Sequence, residues 1–159
     1  MINNLIDILN ALNYKNIYLI ANWGVVPFWL LLIILPRSPV TSFFAQSIIP
    51  SLLLASAYGF VAYNIFLEGN IFDGFELYSG LDGLYSMFSN EAFLLIFWLH
   101  FLAINLFVGN WIASDSKTYQ VTKILVIISL ITTYFTGPIG LFIYWLFRIF
   151  YSKKINYYD

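Results

Sequence analysis

Residues 92–112 decide the fold: they read AFLLIFWLHFLAINLFVGNWI and contain no formally charged side chain. They lie within a charge-free gap of 23 residues between Glu91 and Asp115. A helix needs about 20 apolar residues to cross the hydrocarbon core of a bilayer. The apolar residues are continuous and do not alternate with polar ones, which favours a membrane helix over a barrel strand. Residues 92–112 are therefore predicted to cross a membrane.

Three other gaps in the charge pattern are as long. They contain 21, 30 and 24 residues and follow Lys15, Arg37 and Lys123, respectively. Only 9% of all residues are charged, against about 25% in soluble domains. A soluble globular domain is excluded, and the pattern predicts a single-domain, all-α integral membrane four-helix bundle. The predicted spans are residues 17–35, 44–67, 92–112 and 123–147.

Prolines and glycines indicate where the spans break. Pro27 is expected to kink the first span, because proline removes a backbone donor. Pro50 marks either a kink in the second span or its true start. The pair Gly137-Pro138 is expected to break the fourth span near its centre.

Two segments outside the spans carry their own patterns. Residues 1–14 are mildly amphipathic and are predicted to form a short interfacial helix. They lack the cationic start of a signal peptide or transit peptide, which favours a bacterial or organelle-encoded protein. Residues 68–91 hold five of the eight acids among glycines and aromatics. This acidic loop is predicted to be partly structured, as an interfacial lid or re-entrant segment; an ordinary surface loop is the alternative.

The distribution of basic residues bears on orientation, since cytoplasmic loops carry an excess of Lys and Arg. Four spans would place both termini on one side. The side with the termini would carry four basic residues, Lys15, Arg148, Lys153 and Lys154. The other side would carry three, Arg37, Lys117 and Lys123. The split favours cytoplasmic termini only slightly, in a bacterial inner membrane or an equivalent organelle membrane.

The composition excludes several kinds of site. The chain has no cysteine and one histidine, so disulfides, thiolate nucleophiles and multi-His metal sites are excluded within one chain. The net charge of −1 shows no excess of basic residues that would bind the phosphates of a nucleic acid. No metal and no other cofactor is predicted, although the acidic loop could bind a cation and His100 could bind haem.

Two polar side chains interrupt the third span. His100 lies nine residues into it, and Asn105 lies about 140° away around the helix. The two therefore cannot both point at lipid, so at least one faces the bundle. Polar groups within a span are costly. His100 is either an acid or base in a site within the membrane or a packing group that hydrogen-bonds a neighbouring helix. Asn105 and Asn22 are more typical of structural hydrogen-bonding groups.

The aromatic content indicates what the chain could bind. Aromatic residues make up 21% of the sequence, which favours a long apolar or conjugated ligand over a small ion.

The predicted catalytic residues are His100 and Asn105. The predicted binding residues are Asn22, Trp23, Trp29, Arg37, Tyr58, Tyr63, Trp98, Phe107, Trp111 and Tyr134.

Three segments resemble the abscisic-acid-deficient-4-like family. They are residues 22–30 (NWGVVPFWL), residues 98–112 (WLHFLAINLFVGNWI), and residues 136–141 (TGPIGL) followed by Tyr144 and Arg148. The resemblance covers residues 17–148 and implies a four-span frame. Plant members of the family are associated with neoxanthin synthesis from violaxanthin. The family's histidine segment is expected to carry an aspartate where this chain has Asn105, which cannot exchange a proton near neutral pH.

The resemblance implies a carotenoid-directed enzyme. Conversion of an epoxide end group into an allenic alcohol is an isomerisation that needs one proton donor and one proton acceptor. The resemblance places His100 at the centre of this acid–base chemistry. The alternative is a non-enzymatic accessory protein that binds a carotenoid or a lipid, and a third hypothesis is a scaffold for a partner complex. The expected partners are the bilayer and a carotenoid or other long apolar ligand; a homo-oligomer is left open.

Overall fold

The computed structural model describes residues 13–67, 75 and 78–153, and over these residues it is helical without a strand. This confirms the all-α prediction. The residues of the predicted N-terminal interfacial helix before Asn13 lie outside the described part. The helices are α1 Tyr14–Gly24, α2 Val26–Ile34, α3 Pro39–Phe44, α4 Ile48–Leu67, α5 Leu81–Phe88, α6 Glu91–Thr118, α7 Lys123–Thr136 and α8 Pro138–Ser152.

Three helical segments are long and apolar enough to cross a membrane: Tyr14–Ile34, Pro39–Leu67 and Glu91–Thr118. They correspond to the first three predicted spans. The helix α6 continues six residues past its predicted end, and the Asp115 carboxylate in this extension is paired with Arg148 within the fold. Its 28 residues extend about 42 Å, which is longer than the hydrocarbon core is thick.

Two predicted proline effects can be located. The first span is interrupted at Val25, and Pro27 lies in the first turn of α2, where the missing N–H would have had no helical partner. Pro50 lies in the first turn of α4. Of the two interpretations of Pro50, the structure therefore selects the start of the helix.

The predicted fourth span consists of two helices that run antiparallel. Gly137 separates α7 from α8 with φ 58° and ψ −90°, a conformation that glycine adopts without strain. Near this turn, Gly140 lies so close to Thr133 that no Cβ would fit. At the other end, the hydroxyls of Thr122 and Tyr151 are 2.6 Å apart. The predicted break is present, and it reverses the chain.

The chain divides into two compact units. Unit 1 comprises Met1–Gly24 and Leu52–Leu102, and unit 2 comprises Val25–Ser51 and Ala103–Asp159. In unit 1, the rings of Tyr18 and Trp98 lie 6.1 Å apart. In unit 2, the fully buried side chains include Leu32, Ile112, Val126, Leu130, Tyr144 and Arg148.

Part of the acidic loop is structured, as predicted, and this part is helical. The helix α5 has Asp82 in its first turn, where a negative charge interacts favourably with the helix dipole and stabilises the helix. Met87 is buried, whereas Leu81 and Tyr85 are exposed. Residues 68–74 and 76–77 lie outside the described residues, so the lid and surface-loop alternatives remain predictions.

Candidate functional site

Four side chains of unit 2 form a buried polar group, the Asp115 cluster: Asp115, Tyr119, Tyr144 and Arg148. Asp115 lies in the last turn of α6, and Tyr119 directly follows that helix, with its backbone N–H donating to the Asp115 carbonyl at 3.1 Å. Tyr144 and Arg148 are four residues apart on α8 and share one face of it. The Oδ2 atom of Asp115 accepts a 2.6 Å hydrogen bond from the Tyr144 hydroxyl and a 2.8 Å bond from Arg148 Nε. The Arg148 guanidinium carbon lies 4.5 Å from the Tyr119 ring centroid, a cation–π distance.

The burial of these groups is what makes the cluster unusual. The Arg148 side chain is 1% exposed and the Asp115 side chain 10%, and Tyr144 is fully buried. A buried guanidinium is tolerated only when it is paired and hydrogen-bonded. The Asp115 carboxylate supplies the opposite charge and the Tyr119 ring covers the cation. The cluster therefore binds α8 to the C-terminal part of α6.

The same geometry has chemical capacity. A phenol hydroxyl 2.6 Å from a carboxylate forms a short, charge-assisted hydrogen bond. It places a proton donor beside a proton acceptor, as general acid–base chemistry requires. Both side-chain bonds end on Oδ2, and the side chain keeps 10% of its surface exposed.

A second group in unit 2 surrounds the predicted site residue Asn105. Asn105 is 5% exposed and its side chain packs against Gly137, where an added Cβ would overlap the Oδ1 atom. One turn along α6, Gly109 leaves room for the ring of Trp29, which meets Tyr134 edge-on at 5.3 Å. The Nδ2 atom of Asn105 is buried and has no hydrogen-bond partner within the described part of the chain. A buried donor without a partner is uncommon in folded proteins.

The remaining predicted residues of unit 2 have different surroundings. Arg37 donates hydrogen bonds to the backbone carbonyls of Ser116 and Val121, so it fixes the end of α6. The Trp111 ring meets the Tyr144 ring edge-on at 5.6 Å and so borders the Asp115 cluster. Phe107 is exposed.

In unit 1, the predicted catalytic residue His100 is exposed. Trp98 stacks on Phe101 at 5.3 Å and is tilted against Tyr18. Asn22 is half-buried. The other predicted binding residues of this unit have exposed side chains: Trp23, Tyr58 and Tyr63.

Unit 1 also contains a cavity of about 390 Å³ between the starts of α1 and α6. The indole Nε1 of Trp98 is buried and unpaired within the described residues. Lys15 and Glu91 add one positive and one negative charge to the lining. The full lining is Tyr14, Lys15, Tyr18, Glu91, Leu94, Leu95 and Trp98.

Asp115 and Tyr119 were absent from the sequence-based site prediction, and Tyr144 and Arg148 entered it only through the family resemblance. Asp115 lies three residues beyond the predicted end of the third span at residue 112. The available signal was the spacing: two polar residues four apart at the end of each of two apolar segments. That spacing predicts shared helix faces, but it does not predict which faces meet.

Comparison with known proteins identifies the family. The model of the ABA DEFICIENT 4-like family matches residues 16–144. The chain belongs to this family. The match includes Asn105, Asp115 and Tyr144, and it confirms the resemblance found in the sequence.

One curated relative of this ABA DEFICIENT 4-like chain is Protein ABA DEFICIENT 4, chloroplastic, from Arabidopsis thaliana. The two are 24% identical over 110 residues, which cover 67% of this chain and 50% of the relative. The chain thus spans about half the length of the curated relative. No solved structure matches it significantly.

Proposed function

We propose that this ABA DEFICIENT 4-like protein is a carotenoid-directed membrane enzyme of the isomerase type. The proposed substrate is an epoxy-carotenoid or a related carotenoid end group. The observation that carries the proposal is the Tyr144–Asp115 pair, a proton donor and a proton acceptor 2.6 Å apart in the family-matched region. Three apolar helices long enough to cross a membrane suit a substrate that resides in lipid.

The reaction balances without a co-reactant. A proton is added to the epoxide oxygen as its C–O bond breaks, and a proton leaves the neighbouring polyene carbon. The electrons of that C–H bond form the new double bond of the allene, so the product is an isomer of the substrate. Tyr144 is the proposed donor to the epoxide oxygen, and the Asp115 carboxylate is the proposed acceptor. Positioned groups of this kind contribute about 10²–10⁴-fold in rate.

His100 and Asn105 have separate proposed roles. His100 is exposed, so a lipid-borne ligand can reach its imidazole, and we keep it as a second proposed acid or base. Asn105 presents a buried donor without a described partner, so it can hold a ligand oxygen but cannot exchange a proton.

The test uses two conservative variants, Tyr144→Phe and Asp115→Asn, and the matched control Tyr151→Phe, which removes a hydroxyl elsewhere on α8. Each is expressed with violaxanthin or another epoxy-carotenoid, and the pigments are analysed. We expect a loss of conversion of about 100-fold or more in both variants and full conversion in the control. Full conversion in both variants would restrict the cluster to a structural role. An unchanged pigment profile with every carotenoid, despite folded wild-type protein, would overturn the enzymatic proposal.

The cavity of unit 1 favours the alternative, a non-enzymatic protein that binds a carotenoid or a lipid. Its volume of about 390 Å³ lies in the range of small-molecule sites. The unpaired Trp98 N–H can donate to a ligand hydroxyl or carbonyl oxygen. Leu94→Trp would fill the cavity, whereas Leu52→Trp would enlarge an exposed side chain away from its lining.

Pigment that purifies with the wild type and the Leu52→Trp control, but not with Leu94→Trp, would support the binding function. A wild-type protein that takes up no pigment in mild detergent would count against it. Conversion measured in the same samples separates binding from catalysis.

A further inference from the structure

The antiparallel pair of α7 and α8 has a consequence for membrane topology. We propose that α7 and α8 form a re-entrant hairpin, which enters and leaves the membrane on the same side, and that this side is the cytoplasmic one. The proposal is independent of the proposed function, because it rests on helix lengths, contacts and charges only.

The first argument is the position of the open end of the hairpin. Thr122 precedes α7 and Tyr151 lies in the last turn of α8, and their hydroxyls are 2.6 Å apart. The residues that enter α7 and those that leave α8 are therefore adjacent. A single crossing over residues 123–147 would instead place its two ends on opposite sides of the membrane.

The second argument is length. The helices α7 and α8 contain 14 and 15 residues, which extend about 21–23 Å. That is less than the roughly 30 Å of the hydrocarbon core, so neither helix can cross it alone, and in the proposed hairpin the turn lies inside the bilayer. Irregular backbone is tolerated at that depth only where protein covers it. Gly137, the residue at the turn, is itself buried and packs against the Asn105 side chain, whereas Thr136 and Pro138 beside it are exposed.

The third argument is the location of the basic side chains within unit 2. Arg37 donates to the Ser116 carbonyl at 3.1 Å, and Lys117 Nζ donates to Ser42 Oγ at 2.8 Å. Both cations thus lie at the C-terminal end of α6. Lys123 begins α7 and Lys153 follows α8, next to the Thr122–Tyr151 contact. Arg148 reaches Asp115 at the same end.

These five residues are most of the seven Lys and Arg in the sequence. A sixth, Lys154, directly follows Lys153 in the sequence. Lys15, in contrast, lies at the start of the candidate span Tyr14–Ile34. Positive residues close to the ends of spans are retained in the cytoplasm. With the hairpin, the nearly even split expected from four spans becomes strongly one-sided.

The absence of cysteine in the sequence makes the test direct. A cysteine appended after Asp159 reports the side of the C-terminus. Two reference variants at exposed positions, Tyr78→Cys and Thr118→Cys, lie before and at the end of the candidate span Glu91–Thr118. Each protein is produced in a bacterial inner membrane and labelled with a membrane-impermeant maleimide, in spheroplasts and in everted vesicles.

We expect the appended cysteine and Thr118→Cys to react in everted vesicles only, and Tyr78→Cys to react in spheroplasts only. Labelling of the appended cysteine together with Tyr78→Cys would overturn the hairpin. Labelling of both the appended cysteine and Thr118→Cys in spheroplasts would overturn the cytoplasmic assignment. Pigment conversion plays no part in the readout, so a failure here is distinct from a failure of the proposed function.

Discussion

Arg148 Nε donates a 2.8 Å hydrogen bond to Asp115 Oδ2, although the Arg148 side chain is only 1% exposed. The arginine comes from α8 and the aspartate from α6, and the two are 33 residues apart in the sequence. Two charges at the ends of apolar segments thus stabilise the packing of unit 2, because each satisfies the other away from water.

The first prediction concerns this pair. Asp115→Ala should leave a buried guanidinium without its counter-charge and destabilise the protein by about 3–5 kcal/mol. The double variant Asp115→Leu/Arg148→Met should recover most of that loss, because replacing both charges removes the unpaired one. Thermal unfolding in detergent measures the effect. A double variant no more stable than Asp115→Ala would contradict the interpretation.

The second prediction concerns the turn of the hairpin. Gly137→Ala should destabilise the protein by at least about 1 kcal/mol, because a non-glycine residue with positive φ is strained. The added Cβ would also overlap the Asn105 side chain. Gly59→Ala is the matched control, since nothing lies within 4 Å of its added Cβ, and alanine favours a helix by up to about 1 kcal/mol. Equal melting temperatures for the two variants would show that the turn is not constrained.

The third prediction separates stability from chemistry at His100. Its side chain is exposed, so His100→Ala should change the free energy of unfolding by no more than about 0.5 kcal/mol. If His100 is an acid or base in the proposed reaction, carotenoid conversion should fall by about 100-fold or more. Pigment analysis and a melting curve on the same preparation test both statements. Full conversion in the variant would remove His100 from the mechanism.

The fourth prediction concerns the unpaired amide of Asn105. Asn105→Leu should leave the melting temperature unchanged or raise it, because an unsatisfied buried donor is replaced by an apolar group of similar size. Pigment retention or conversion should fall at least about tenfold, the cost of roughly one hydrogen bond to a ligand. A marked loss of stability would mean that Nδ2 supports the fold, and unchanged pigment handling would exclude it from the ligand site.

Much of the fold was predictable from the sequence, because each apolar residue of a segment adds to its preference for lipid. The length of an uncharged segment therefore indicates whether it can cross the membrane. The charge-free gaps predicted three segments that are long enough to cross a membrane, and Gly137-Pro138 predicted the break between α7 and α8. The site was less predictable. Trp29 and Tyr134 pack together, but Asp115 was missed, since its role depends on Tyr144 and Arg148 from another helix.

The sequence by itself determined the class of the protein: long uncharged segments fold as helices in lipid, whatever their neighbours are. It also determined where the fourth apolar segment breaks. Only the tertiary structure decided that the break reverses the chain, because the reversal depends on the contact of Gly140 with Thr133 and of Thr122 with Tyr151. The same reversal brings Arg148 to Asp115. The Thr122–Tyr151 and Arg148–Asp115 contacts join residues 29 and 33 positions apart in the sequence, and hydrophobic periodicity carries no information about such pairs.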